Sequence, residues 1–220
     1  MGIFQNSNEK EMDMKNNRMI WFTSDEHYGS ERTLKLSRRP FKNVEEMNDT
    51  LISLFNDKVC ESDITIHLGD FGDFNMLKWL PGRHFLILGN YEIDQINKGF
   101  DGNYDLYESY LINEVGFERV YPNHYYFSLD QSDLISCKEQ WNDGNSNLFY
   151  LTHKPSDCKK DLAYMEKLFN LFGHIHGRQV IKTYGLDIGV DAHHFYPINI
   201  DDVKFYQNAI INHYDENVFE

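Results

Sequence analysis

The feature that most constrains the fold of this chain is a set of five short apolar runs. Each run is followed at once by a residue whose side chain can bind a metal. The runs cover residues 19–24 (MIWFTS), 63–69 (DITIHLG), 83–89 (RHFLILG), 147–152 (NLFYLT) and 167–173 (KLFNLFG). Their lengths and their content of β-branched and aromatic residues predict β-strands. The side chains that follow them are Asp25, Asp70, Asn90, His153 and His174.

Segments with helical periodicity lie between these strands. Residues 43–59 place apolar side chains on one helical face, and residues 104–115 and 158–169 show the same pattern. Strands that alternate with helices predict an α/β fold, in which ligands collect at the carboxyl ends of the strands. Short runs at 179–184, 186–191 and 196–200 predict a second sheet that completes a sandwich, and residues 201–214 predict a closing helix.

Length and composition favour one packed domain. The chain has 220 residues, of which 41% are hydrophobic, and a chain of this length buries roughly 70% of the surface it exposes when unfolded. We expect a flexible N-terminal extension over residues 1–18, which are polar, and a single domain over residues 19–220. The apolar runs are too short to span a membrane. The three cysteines form no CxxC pattern, which favours a reducing, cytoplasmic location.

The charge of the chain disfavours long nucleic acids as partners. Acidic residues outnumber basic ones by 35 to 21, a formal net charge of −14, and no basic cluster is longer than a pair. Proteins that grip a phosphate backbone present a basic stripe. Small or locally presented substrates fit this composition better, and the sequence leaves the oligomeric state open.

The polar residues at the strand ends include both nitrogen and oxygen ligands. They are Asp25, His27, Asp70, Asn90, His153, His174 and His176. Seven ligands are too many for one ion and suit two ions that share a bridging carboxylate. The mixed donors favour Mn, Fe, Ni or Zn over Mg or Ca. Alternation along an extended segment predicts that His174 and His176 lie on the same side of the chain.

These residues, in this order, resemble the blocks DxH, GDxxD, GNH[DE], H and GHxH of the calcineurin-like metallophosphoesterase family, over residues 19 to about 203. The flanking segments look like the small bacterial and phage members. The resemblance implies a four-layer α-β-β-α sandwich of two mixed sheets flanked by helices, with a dinuclear metal site at the C-terminal strand ends. It implies hydrolysis of a phosphate ester by attack of a metal-bridging hydroxide.

The resemblance also implies a role for each residue. Asp25, His27 and His176 would bind one metal; Asn90, His153 and His174 would bind the other, with Asp70 as the bridge. Asp73, at the end of GDFGD, would orient a ligand. The GDxVDRG block of Ser/Thr protein phosphatases is absent, which argues against that activity.

Tyr91 stands where the family has the histidine of GNH[DE]. A tyrosine hydroxyl donates hydrogen bonds but is a poor proton source near neutral pH, so leaving groups that need protonation should react slowly. Some family members with a residue other than histidine here look like phosphodiesterases, so the resemblance implies phosphodiesters or small nucleotides rather than monoesters. Two alternatives stay open: Tyr91 only packs over the site, or it marks an impaired enzyme. A phosphomonoesterase and a non-catalytic scaffold or binding protein on the same fold are the competing functions.

Other basic residues and histidines receive weaker predictions. Three arginines in the motif loops are the nearest phosphate partners by position, without a choice among them: Arg38, Arg39 and Arg178. The pair His193-His194 reads as a solvated loop. Three further histidines read as core residues: His67, His84 and His124.

Overall fold

A computed structural model of the chain describes residues 18–128, 148–164 and 168–213. Residues 1–17 of the predicted extension over residues 1–18 lie outside these ranges, and so does Cys137. The described strands are β1 (Ile20–Thr23), β2 (Ile64–His67), β3 (Arg83–Ile87), β4 (Arg119–Tyr121), β5 (His124–Ser128), β6 (Leu148–Thr152), β7 (Phe169–Phe172), β8 (Ile181–Lys182), β9 (Gly185–Asp187) and β10 (Ile198–Asn199). The described helices are α1 (Glu31–Leu36), α2 (Val44–Asn56), α3 (Asn90–Gly99), α4 (Tyr104–Tyr110), α5 (Lys160–Tyr164) and α6 (Ile200–His213).

The strands form two mixed sheets, which agrees with the predicted α/β class. The first sheet has the order β10-β1-β2-β3-β4, with β1 to β4 parallel and β10 antiparallel to β1. The second has the order β5-β6-β7-β9-β8, with a parallel centre of β6, β7 and β9. In each sheet, the carboxyl ends of the parallel strands therefore lie at the same edge.

Alternating side chains of the first sheet build two apolar cores. Trp21 and Leu86 pack with residues of α2, α3 and α4 in one core. Phe22 and Phe85 face the other way and pack against Phe149 and other side chains of the second sheet. The two sheets thus lie face to face, and helices cover the outer face of the first one.

Local sequence signals explain where two of the helices begin and end. The Asn43 side chain accepts a hydrogen bond from the Glu46 N–H at 2.8 Å and so caps the start of α2. Helix α4 continues into a π-helical turn over Leu111–Val115, which ends at Gly116 with a φ of 107°. Glycine tolerates this left-handed conformation without a steric penalty.

The predicted elements agree with the structure except in the C-terminal third. All five predicted strands are present, within three residues at each end. The predicted helix over 158–169 is α5 alone in the described residues, and Phe169 already belongs to β7. The run at 196–200 was expected in the second sheet, but β10 pairs with β1 of the first sheet. None of the described helices has the length and apolar character to cross a lipid bilayer.

Candidate metal centre

The loops that leave the strands turn sharply and so bring their polar residues together. Five side chains of the predicted site lie on left-handed backbone: Asp25, His27, Asp70, His174 and His176, with φ between 50° and 73°. Hydrogen bonds between adjacent loops hold this geometry, from the Asp25 N–H to the Gly69 carbonyl and from the His27 N–H to the Asp70 carbonyl, both at 3.0 Å. The expected extended segment around His174 and His176 is therefore wrong, because both residues lie in a tight turn.

The first donor group consists of Asp25, His27 and His176, with one ligand atom of each lying within 4.8 Å of the others. Asp25 Oδ1 and both ring nitrogens of His27 are buried, and they have no hydrogen-bond partner among the described residues. Buried polar atoms of this kind are rare unless a ligand or ion satisfies them. The group therefore fits a metal ion.

The second donor group consists of Asp70, His153 and His174, again within 4.8 Å. The His153 Nδ1–H donates to the Leu68 carbonyl at 2.7 Å, so its Nε2 faces the site. Around this Nε2 lie the Asn90 Oδ1 at 3.0 Å, the His174 Nδ1 at 3.2 Å and the Asp70 Oδ2 at 3.5 Å. Oxygen and nitrogen lone pairs gathered around one point suit a cation.

Asp70 lies between the two groups. Its Oδ2 is 3.5 Å from His27 Nε2 on one side and 3.5 Å from His153 Nε2 on the other. Its Oδ1 accepts the N–H of Tyr91 at 2.9 Å, which fixes the orientation of the carboxylate. Asp70 is thus placed as a residue shared by both groups.

Burial and charge shift the pKa values of the site in opposite directions. Burial raises the pKa of Asp25 and lowers that of His27 to about 3. Burial would also lower the pKa of His153, but the hydrogen bond to Asp70 and the charges of Asp25 and Asp70 outweigh it and raise the value to about 9. Burial would raise the pKa of Asp70, but the same contact with His153 keeps it below its ordinary value. The contact with His153 therefore favours the charged form of Asp70, which is the form that can bind a cation.

Asp191 and Arg39 stabilise the first donor group through hydrogen bonds. The His176 Nδ1–H donates to Asp191 Oδ2 at 2.7 Å, which leaves the His176 Nε2 for the site. The Arg39 side chain donates to both oxygens of Asp191, at 2.9 and 2.8 Å, and to the carbonyls of Asp25 and Glu26. Arg39 is buried and fully engaged, so it is a positioning residue and not the phosphate partner that its place in the sequence suggested.

Glu92 organises the loops of the second group. Its buried carboxylate accepts the backbone N–H groups of Asp70, Phe71 and Gly89, at 2.8, 2.9 and 2.8 Å. Burial raises its pKa to about 7. No sequence prediction assigns Glu92 a role; its position three residues after Gly89, at the start of a helix, is the signal that could have indicated one.

A buried chain of hydrogen bonds runs beneath the first loop. The Leu80 carbonyl accepts from His84 Nε2–H at 3.2 Å, the His84 Nδ1 accepts from His67 Nε2–H at 3.0 Å, and His67 Nδ1 lies 2.6 Å from Glu26 Oε1. This direction requires a protonated Glu26, and burial indeed raises its pKa to about 8. His67 and His84 are thus core residues as predicted, whereas His124 is exposed.

The remaining predicted residues surround the centre without joining a donor group. Asp73 Oδ1 accepts from the N–H and the side-chain amide of Asn75, at 3.0 and 2.9 Å, and so begins a 3₁₀ turn. The Tyr91 ring packs edge-on against His27 with centroids 4.6 Å apart. His193 donates to the Asp187 carbonyl at 2.6 Å, and His194 is exposed.

Comparisons with known proteins give a fold but no activity. No protein-family model matches the chain. Uncharacterized protein MJ1445 of Methanocaldococcus jannaschii is 29% identical over 168 residues, which is 68% of this chain and 93% of that protein. Gene 66 protein of Mycobacterium phage L5 is 37% identical over 81 residues, 33% of this chain and 39% of that protein. The crystal structure of AQ665, a protein of unknown function from Aquifex aeolicus, matches with a TM-score of 0.58 and 19% identity, over 86% of this chain and 99% of that chain. This likeness shows a shared fold.

Proposed function

We propose that the chain is a dinuclear metal-dependent phosphoesterase that hydrolyses a phosphodiester or a small nucleotide. The proposal includes the calcineurin-like family, its four-layer sandwich and two divalent transition metals, Mn, Fe, Ni or Zn. It also includes a cytoplasmic location, which rests on the cysteine pattern alone.

The observation that carries the proposal is the position of Asp70 between two donor groups. One carboxylate oxygen lies 3.5 Å from a histidine nitrogen of each group. Two adjoining sites with one shared carboxylate are the arrangement that two-metal hydrolases use. Structural sites for a single ion need neither the second group nor the bridge.

When bound, two such ions generate a hydroxide nucleophile at neutral pH and stabilise charge on the attacking and leaving oxygens. The chain itself supplies orientation. Asp191 and the Leu68 carbonyl fix the tautomers of His176 and His153, so that each Nε2 faces the donor groups. Glu92 holds the Asp70 loop through backbone hydrogen bonds, which keeps the shared carboxylate in place.

The residues that flank the groups favour a diester. Tyr91 contacts His27 and lies where a histidine would offer a proton to the leaving group. A phenol is a weak acid near neutral pH, so esters whose leaving groups need no protonation should react best. The formal charge of −14 opposes a long nucleic acid.

Hydrolysis by reloaded protein tests the proposal. The metal-stripped chain is reloaded with Mn, Ni, Zn or Mg and assayed with 4-nitrophenyl phosphate and bis(4-nitrophenyl) phosphate. We expect diester cleavage with a transition metal, and a loss of at least about a hundredfold in Asp70→Ala because both ions lose a ligand. His194→Ala is the matched control, since His194 is exposed and belongs to neither group.

A protein that binds two ions yet cleaves neither ester with any metal would contradict the phosphoesterase and favour a binding or scaffold role. Faster cleavage of the monoester than of the diester would contradict the substrate class alone. Tyr91→His then serves as a diagnostic variant with an alkyl phosphate monoester, whose leaving group needs a proton, because a histidine at this position should raise its turnover if the missing proton donor sets the preference.

A further inference from the structure

Tyr91 joins three parts of the site through three different groups. Its backbone N–H donates to Asp70 Oδ1 at 2.9 Å, and its ring packs on His27. Its hydroxyl oxygen accepts a hydrogen bond from Arg32 Nη1 at 2.8 Å. Arg32 lies on α1, which follows the loop of His27. The guanidinium therefore binds a tyrosine whose ring packs on His27 of the first donor group and whose backbone N–H binds the shared carboxylate.

The direction of this hydrogen bond leaves donors free. A guanidinium has N–H groups and no acceptor, so the phenol oxygen is the acceptor and its own O–H hydrogen points elsewhere. Arg32 is exposed and, within the described ranges, pairs with no carboxylate. Its other N–H groups remain available to a ligand. One hydroxyl and one guanidinium thus present several donors at the same place.

The local charge also distinguishes Arg32. Arg39 is buried and its donors bind Asp191 and backbone carbonyls, so its charge is neutralised inside the fold. On helix α1 itself, Lys35 pairs with Glu31 at 3.4 Å, on an exposed surface. Arg32 instead pairs with no carboxylate among the described residues, and its positive charge is held by Tyr91, which contacts a member of each donor group.

We propose that Arg32 and Tyr91 form an oxyanion subsite that binds the non-bridging oxygens of a phosphoryl group held at the metal centre. This inference rests on the proposed function and names two specificity residues for it. The guanidinium offers paired donors that match a phosphate, and charge-assisted hydrogen bonds of this kind are the strong ones. Because the pair supplies binding and charge but no ready proton, it suits phosphodiesters with acidic leaving groups.

Binding of inorganic phosphate to the Mn-loaded protein tests the subsite without any turnover. Isothermal titration calorimetry compares the wild type with Arg32→Gln, Tyr91→Phe and the double variant, and Lys35→Gln is the control for the loss of one exposed positive charge on α1. We expect phosphate affinity to fall about tenfold in Arg32→Gln and severalfold in Tyr91→Phe. The fold-loss of phosphate affinity in the double variant should be smaller than the product of the fold-losses in the two single variants, since the residues act as a pair.

Two further measurements exclude a merely structural effect. Mn affinity should be unchanged in both single variants, because Tyr91→Phe keeps the backbone hydrogen bond to Asp70. With bis(4-nitrophenyl) phosphate, Arg32→Gln should raise KM more than it lowers kcat, and Arg32→Lys should restore part of the loss. Equal phosphate affinity in Arg32→Gln and Lys35→Gln would overturn the subsite, and so would a Mn-loaded wild type that binds no phosphate.

The outcomes separate the two proposals. If the wild type binds phosphate through Arg32 but cleaves no ester, the subsite stands and the phosphoesterase fails. If the wild type cleaves the diester and Arg32→Gln changes neither phosphate binding nor KM, the phosphoesterase stands and the subsite is wrong.

Discussion

Five of the seven proposed ligands adopt a backbone conformation that most residues avoid. Left-handed φ values cost about 1–3 kcal/mol at non-glycine positions and persist where the surroundings over-determine them. Here the loop of Asp25 and His27 is tied by backbone hydrogen bonds to the loop of Gly69 and Asp70. The strain is thus concentrated at the residues that the proposed function uses.

Gly173 gives a residue-scale test of this crowding. A Cβ at this position would collide with Ser24 Oγ and Asp25 Oδ2. We expect Gly173→Ala to displace the Asp25 carboxylate and to weaken Mn binding at the first donor group at least about tenfold. Calorimetric titration of the metal-free protein measures this as the loss of one of two binding events. Gly99→Ala is the control, since a Cβ there meets nothing within 4 Å; equal titrations of the two variants would contradict the packing argument.

Asp191 gives a second test, which concerns the orientation of the His176 ring. It accepts the His176 Nδ1–H and pairs with the buried Arg39. We expect Asp191→Asn to lower Mn affinity about 10- to 100-fold, the usual effect of removing a carboxylate that orients a ligating histidine. The exposed Asp202→Asn is the matched control, and competition with a chromophoric chelator measures affinity. An unchanged affinity in Asp191→Asn would show that His176 does not need this partner.

The sequence predicts the ligands better than the residues that hold them. Each ligand follows a strand or lies two residues from one that does, so strand recognition is enough to find it. Asp191, Glu92 and Arg32 act across loops that are distant in sequence, and their partners depend on how the chain folds. No local pattern assigns the buried Arg39 to Asp191, 152 positions away.

At the scale of elements, the strands of the first half are predictable because each one is a short apolar run with clear ends. The segment at 158–173 is ambiguous, since an apolar run next to a helix reads equally well as strand or helix. Phe169 begins β7 although the helical pattern includes it. The pairing of β10 with β1 depends on tertiary packing, and no local sequence signal predicts it.

The cap of α2 offers a stability test at this scale. Asn43 accepts the Glu46 N–H at 2.8 Å. We expect Asn43→Ala to lower the free energy of unfolding by about 1 kcal/mol, because one helix N–H loses its partner. For a chain of this size that is a fall in Tm of about 2–4 °C. Asn43→Asp keeps an acceptor and should stay near the wild type in thermal unfolding; a fall as large as that of Asn43→Ala would argue against capping.

At the scale of the molecule, buried histidines should control acid stability. Burial lowers the pKa of His67 and His84 to about 3, against about 6.5 for an unfolded histidine. Between these values the unfolded chain binds more protons, so the free energy of unfolding falls as the pH falls from about 6.5 to about 3. We expect His84→Phe to make this slope shallower, by up to about 1.4 kcal/mol per pH unit.

The same variant should be less stable at pH 7 by about 1–3 kcal/mol, because the His67 Nε2–H loses its acceptor. Urea unfolding of the metal-free protein at several pH values measures both effects. His194→Gln, at an exposed position, should leave the slope unchanged. A His84→Phe curve parallel to that of the wild type below pH 6.5 would mean that His84 is already protonated in the fold.

The proposed ligands come from both sheets, so metal binding should stabilise the molecule as a whole. Asp25 and Asp70 follow β1 and β2 of the first sheet, whereas His153 and His174 follow β6 and β7 of the second. An ion that binds only the folded state at a hundred times its Kd adds about 2.7 kcal/mol. We expect saturating Mn to raise Tm by about 5–10 °C for each occupied site.

Asp70→Ala should remove most of this increase, because Asp70 lies between the two groups, and His194→Ala should keep it. Hydrogen exchange adds a spatial readout: protection should rise together in β2 and β7, which lie in different sheets. If Mn protected strands of one sheet only, the donor groups would not join the two sheets through bound ions, and the dinuclear site would have to be reassigned to one side of the molecule.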